Sequence, residues 1–262
     1  MNRGDLRRYE RLQLRRVEGE LLSRGSLGQA HALVLGERLN AVEINNTFYW
    51  LPNASVLEGW ASQVPDAFRF SIKASRRITH FARLKPEARE PTEYLMSTVA
   101  SLGARLGVVL FQLPPNLKAD VDRLATFFST LPAGAPGAFE FRHETWRDEA
   151  VHDVLREHGM ALVCADNEKS ADDEPILSTT SWGYLRLRRP DYTDHDLARW
   201  AERVAATGWD RAFVFFKHED GGAGPRLAAR FRELAGASGS AGPATPSARP
   251  ASKRVDKARR GE

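Results

Sequence analysis

One cysteine, Cys164, is all the sequence has, so no disulfide can close within the chain and an oxidising compartment is not implied. No stretch approaches the roughly 20 apolar residues of a membrane span. The opening, "MNRGDLRRYERLQLRRVEGELL", is charged where a secretion signal would be apolar. A cytoplasmic protein that makes no use of a membrane is therefore the expectation. The chain also lacks HxH, HExxH, GxSxG and any Cys/His cluster, the common marks of zinc and serine hydrolases. Cys164 itself stands among apolar residues, where a structural thiol is the default. "GGAG" at 221–224 precedes a helix and offers only a weak phosphate-loop signal.

Net charge is scarce as well, once its location is considered. The formal +4 sits in residues 236–262, where Arg249, Lys253, Arg254, Lys257, Arg259 and Arg260 face only Asp256 and Glu262. That segment is rich in Gly, Ala, Ser and Pro and poor in large apolar residues, so it reads as a disordered basic tail. Nucleic acid is an expected partner only through this tail, and a solubilising role is the plainer use. Residues 1–235 are formally neutral.

What the chain does have is alternation. Seven short apolar runs read as strands: "AVEIN" (41–45), "FRFSIKA" (68–74), "LGVVLFQL" (106–113), "AFEFR" (138–142), "ALVCAD" (161–166), "GYLRLR" (183–188) and "RAFVFFKH" (211–218). Between or after them, segments 92–106, 122–131, 149–159, 194–208 and 225–235 carry apolar residues three and four apart, as amphipathic helices do. Strand and helix in alternation argue for parallel strands with crossover helices.

An open sheet and a closed barrel both satisfy that order. In an open sheet both strand faces meet helices, and each run should be almost continuously apolar. Here polar residues intrude on one face: Glu43 with Asn45, Ser71 with Lys73, Gln112, Glu140 with Arg142, Asp166, Arg186 with Arg188, and Lys217. They gather toward the C-terminal ends of their runs, which is where a (β/α)₈ barrel keeps its functional groups. Phe139 and Phe141 then pack outward while Glu140 and Arg142 face the axis.

Several blocks together resemble one family. "AVEINNTFYWLP", "FRFSIKASRRITH", "LFQLPPN", "FEFRHETW" and "GYLRLR" followed by "DYTDHDLARW" are similar, in order, to the YecE-like proteins, domain of unknown function 72, over residues 28–235. The resemblance implies a TIM-barrel-like fold and brings no reaction or cofactor with it. The family pattern opens with a glycine-rich strand of the type Gly-Thr-Ser-Gly-Trp, and nothing of that type stands before residue 28. Residues 1–27 instead space Leu6, Tyr9 and Leu12 in near-helical fashion, with "RLQL" (11–14) as a substitute strand. A barrel whose first strand is atypical or missing is expected.

Three acids (Glu43, Glu140, Asp166) and five bases (Lys73, Arg142, Arg186, Arg188, Lys217) thus share one mouth. Charges so confined must pair, stay wet or bind a ligand. An internal ion-pair plug is one use; the gathering at one strand end favours a site for a small anion, clamped by arginine. Glu140, His143, Asp166 and His80 are the expected proton-transfer groups. Glu43, Asn45, Tyr49, Lys73, Gln112, Arg142, Trp146, Arg186, Arg188 and Lys217 are the expected substrate contacts, Trp146 having loop packing as an equal alternative. A divalent metal held by Glu43, Glu140, His143, Asp166 and His218 is the competing chemistry, opposed by Arg142 and Lys217.

Overall fold

The computed structural model describes residues 39–166, 176–189, 191–216 and 223–239. Lys217, His218, the atypical N-terminal segment and the tail beyond residue 239 lie outside the described residues. All seven expected strands form: β1 (Ala41–Ile44), β2 (Arg69–Lys73), β3 (Leu106–Gln112), β4 (Gly137–Glu140), β5 (Ala161–Ala165), β6 (Trp182–Leu187) and β7 (Arg211–Phe216). Each pairs in parallel with the next in chain order, and β7 comes round alongside β1 without a hydrogen-bonded ladder between them. The result is a nearly closed barrel of TIM type with helices between its strands.

The crossover helices begin where the sequence supplies caps. α1 (Ala54–Ala61) starts after Asn53, whose Oδ1 accepts from the Val56 amide at 3.1 Å. α2 (Arg89–Val99) leads through a 3₁₀ turn into β3. α3 (Val121–Phe128) and α4 (Glu149–Glu157) are capped by Asp120 and Asp148, and α5 (Asp194–Ala205) by a reciprocal Thr193–Asp196 capping box. α6 (Ala223–Gly239) extends four residues into the stretch read as tail. α1 is the helix absent from the periodicity reading: it is only eight residues long and buries Leu57, Trp60 and Ala61.

Alternation divides the side chains into two layers. Outward residues Phe70, Ile72, Val109, Phe111 and Phe139 pack under the helices with Leu57, Trp60, Leu95, Val99, Leu124, Phe127, Phe128 and Leu155. Phe139 stacks on Phe111 with centroids 4.8 Å apart and meets Phe127 and Phe128 edge-on. Inward residues Val108, Leu110, Ala138, Ala161, Val163, Tyr184 and Phe213 fill the barrel itself. Going toward the C-terminal strand ends, the inward positions change from apolar to Glu43, Lys73, Gln112, Glu140 and Arg186. The lower barrel is thus a packed core, and the polar layer above it is the floor of the mouth.

Candidate functional site

Glu140 is the centre of that floor and is only 2% exposed. Its Oε2 accepts from Gln112 Nε2 at 2.7 Å and from Arg186 Nη1 at 2.5 Å. Its Oε1 accepts from Arg188 Nη2 at 2.6 Å and from Arg142 Nε at 3.2 Å. Four donors use the acceptor capacity of one carboxylate. Burial raises the pKa of this carboxyl, but Arg186, Arg188 and Arg142 together with the Gln112 hydrogen bond outweigh it and bring it down to about 2. Glu140 is therefore ionised and occupied at any physiological pH.

A second carboxylate closes the barrel from the other side. Glu43 Oε1 accepts from Arg186 Nη2 at 2.7 Å and from Asn45 Nδ2 at 2.9 Å, while Oε2 accepts from the Tyr184 hydroxyl at 2.6 Å. Arg186 Nη2 also reaches Asn45 Oδ1 at 3.2 Å. Burial works against the charge on Arg186, and Glu43 and Glu140 overcome it, so this guanidinium stays firmly protonated. Arg188 fares differently: burial lowers it, Glu140 opposes that, and Arg186 and Arg142 add repulsion. Its Nε is buried without a hydrogen-bond partner. Arg142 gives only its Nε to Glu140 and is 35% exposed, leaving both Nη groups without a protein partner among the described residues.

Lys73 is the remaining cation. Its Nζ donates to Gln112 Oε1 at 2.9 Å and rests 4.5 Å from the centre of the Phe48 ring. Thr47, fully buried, holds the strand end in place with its Oγ1 2.8 Å from the Lys73 carbonyl and 2.9 Å from that of Ile44. Beyond β2 the chain makes a π turn, Arg77–Phe81, that carries His80. His80 lies edge-on to the same Phe48 ring at 4.8 Å and bonds Thr79 Oγ1 through Nδ1 at 2.9 Å. Burial, then Lys73, Arg142 and Arg83, lower its basicity, so the imidazole is neutral near pH 7. Arg83 and Leu84, next in the chain, both take left-handed backbone (φ 52° and 60°), a costly state for residues with a Cβ.

The rim above these groups is aromatic. Tyr49, Trp50 and Phe81 are 69%, 60% and 67% exposed. The Arg76 guanidinium lies 5.3 Å from the Tyr49 ring and 5.2 Å from Phe81. Tyr49, expected as a substrate contact, is one of these exposed rings.

Three expected site residues are placed elsewhere. Asp166, 4% exposed, follows the last residue of β5 with the opposite parity to Val163 and Ala165. It ties the β6–α5 connection, accepting from the Arg188 amide and the Tyr192 hydroxyl, each at 2.6 Å. His143 is exposed and caps a 3₁₀ turn, its Nδ1 accepting from the Thr145 amide at 3.2 Å. Trp146 is 2% exposed, stacks on Phe141 at 4.4 Å and donates Nε1 to the Leu117 carbonyl at 2.7 Å. It follows the packing alternative. Among the described residues no three His, Cys, Asp or Glu side chains assemble as a metal-binding group, and the oxygens of Glu140 are already taken by Gln112 and three arginines. Nor is any described helix long and apolar enough to cross a membrane.

Tyr184, Phe48 and Thr47 belong to the site and were not picked out from the sequence. Tyr184 shares parity with Arg186 and Arg188, so the alternation could have flagged it; its aromatic ring read as core. Burial and Glu43 push its phenol well above the ordinary range, and its hydroxyl also meets Ser71 Oγ at 2.6 Å. Phe48 and Thr47 sit in a loop, where no periodicity assigns a face.

Comparison with known proteins fits this architecture. The chain is 30% identical over 134 residues to the UPF0759 protein YecE of Escherichia coli K12, a stretch covering 49% of each protein. It is 28% identical over 112 residues, 40% of each, to the UPF0759 protein YunF of Bacillus subtilis. The chain spans about half the length, or less, of the curated relatives it matches. A DUF72 family protein from Thermotoga maritima MSB8 superposes with a TM-score of 0.67 at 24% identity, over 82% of this chain and 91% of that one. One from Enterococcus faecalis V583 superposes with a TM-score of 0.69 at 18% identity, over 78% and 88%. These two share the barrel. The family model described as "Protein of unknown function DUF72" matches residues 16–252, and the chain belongs to that family.

Proposed function

We propose that the C-terminal mouth of the barrel binds a small anion bearing a phosphate or carboxylate, and that the protein carries out proton-transfer chemistry on it. The observation that carries this reading is the charge balance of the floor. Among the described residues, Lys73, Arg142, Arg186 and Arg188 face only Glu43 and Glu140. An ion-pair network that merely plugged the barrel would balance its charges, because uncompensated buried cations repel and lose solvation. An anion seated on the Nη edge of Arg142 relieves both costs and gains paired, charge-assisted hydrogen bonds.

The proton-transfer role passes from Glu140 to His80, one of the groups expected to carry it, and to Lys73, expected as a substrate contact. Glu140 organises the clamp, its oxygens already occupied, whereas His80 is neutral and Lys73 easily deprotonated, the states a general base needs.

Titration with inorganic phosphate, followed by calorimetry and by melting temperature, tests the reading. Phosphate is expected to stabilise the protein in proportion to its binding. Arg142→Ala should weaken it about tenfold to about a hundredfold, the worth of a charge-assisted hydrogen bond, with the circular dichroism unchanged. Equal phosphate affinity in the variant would show that the site is assigned wrongly.

A further inference from the structure

We infer that Lys73 is a nucleophile: its amino group condenses with the carbonyl of a small 2-oxo acid or keto phosphate to form a Schiff base. The inference rests on the anion site proposed above and names the class of anion.

Lys73 differs from the other three cations of the floor. Arg142, Arg186 and Arg188 each pair with a carboxylate, and no carboxylate lies within ion-pair distance of Lys73 among the described residues. Its contacts are a neutral amide oxygen, Gln112 Oε1, and the face of Phe48. A lysine kept only for packing or charge would be expected to take one of the two acids, yet Glu140 is held by three arginines and Glu43 by Arg186, Asn45 and Tyr184. Its position is inward on the last residue of β2, level with the floor and covered by the loop carrying Thr47 and Phe48. An amine desolvated in this way, beside other cations, is the arrangement that makes lysine reactive.

The charged groups around it agree. Burial lowers the basicity of Lys73 most, Arg186 adds to this, Glu140 and Glu43 oppose it, and Arg142 lowers it again, leaving it at about 8. His80, from the loop after β2, is neutral and lies edge-on to the same Phe48 ring that Lys73 rests on.

The chemistry balances without a further reactant. The ammonium gives one proton to His80 or to solvent. The freed lone pair attacks the carbonyl carbon, and the carbonyl π pair moves to oxygen. A second proton moves from nitrogen to that oxygen, and with the returning first proton the oxygen leaves as water. The product is a protonated imine carrying the same single charge as the original ammonium. The ligand's carboxylate or phosphate remains on Arg142.

The test is reductive trapping on the full chain. Glyoxylate, pyruvate and dihydroxyacetone phosphate are each incubated with the protein and cyanoborohydride, and labelled lysines are located by peptide mass mapping. At least one probe should label Lys73 about tenfold or more faster than the exposed Lys85 and Lys118, which serve as controls within the same molecule. The rate should level off as pH passes about 8. Inorganic phosphate should slow it by competition. Lys73→Arg keeps a cation, so it should lose the adduct while the circular dichroism stays unchanged. If none of the probes labels Lys73 faster than the two controls while phosphate still binds, the Schiff-base inference is overturned and the anion site stands. If phosphate itself does not bind, both fall together. Because the comparison with Lys85 and Lys118 uses the unaltered protein, it stands even if the variant folds poorly.

Discussion

A single carboxylate organises the polar floor. Glu140 receives four hydrogen bonds and gathers three guanidinium groups whose mutual repulsion would otherwise scatter them. Its folded-state pKa, about 2, lies below the ordinary value of 4.5. The ionised form therefore stabilises the folded protein above about pH 4.5, and that stabilisation is lost as pH falls from there to about 2. Glu140→Gln removes this acid-dependent contribution and leaves the arginines facing one another. Urea unfolding at neutral pH should show a loss of about 3–5 kcal/mol, and the loss should shrink as both proteins are taken down through that window. A variant as stable as the parent at pH 7 would mean the cluster does not hold the floor together. At this scale the sequence was informative wherever parity applied: Glu43, Asn45, Lys73, Gln112, Glu140, Arg142, Arg186 and Arg188 do come together. Asp166, one residue past its strand, fell on the other face.

Elements are positioned by close contacts that no propensity announces. β6 carries Gly183 against the ring of Trp209, from the turn after α5, and a Cβ at that position would overlap the ring. Trp209 in turn packs with the α5 and α6 layer around Leu185, Leu197 and Trp200. Gly183→Ala forces this indole away from β6, and overpacking of that kind costs about 1–3 kcal/mol. The melting temperature is expected to fall accordingly, while phosphate affinity, set at the opposite end of the strand, holds. The loops at that far end are fastened individually: Thr47 ties the β1–α1 loop to β2, and Asp166 ties the β6–α5 connection through Arg188 and Tyr192. α1 shows the limit of periodicity. Eight residues give two turns, too few for a repeating stripe, and the Asn53 cap was its clearer signal.

For the molecule as a whole, the barrel is held by ladders between successive strands and by side chains across its interior. Tyr184 on β6 reaches Glu43 on β1 and Ser71 on β2, a connection through the middle where β1 and β7 make no ladder. β3 and β4 have strand neighbours on both sides and are buried nearly throughout. Amide hydrogen exchange should therefore persist longest in residues 106–112 and 137–140, since exchange there requires the most global opening. Faster exchange in β3 than in β1 would contradict this picture of the core. The sequence by itself determined the strand–helix alternation, the seven strands and the face of each that is polar, because side-chain direction in a strand has a period of two and burial follows it. It also determined that the polar positions crowd toward one strand end, although for β5 the face assigned to Asp166 was the wrong one and Lys217 of β7 lies outside the described residues. Tertiary structure alone decided which charges pair. Glu140 and Arg186 are 46 residues apart, and Arg186 and Glu43 are 143 apart; only closure of the sheet brings them within hydrogen-bond range. Among the described residues the same closure leaves Lys73 without a carboxylate, since three arginines hold Glu140 and Arg186, Asn45 and Tyr184 hold Glu43.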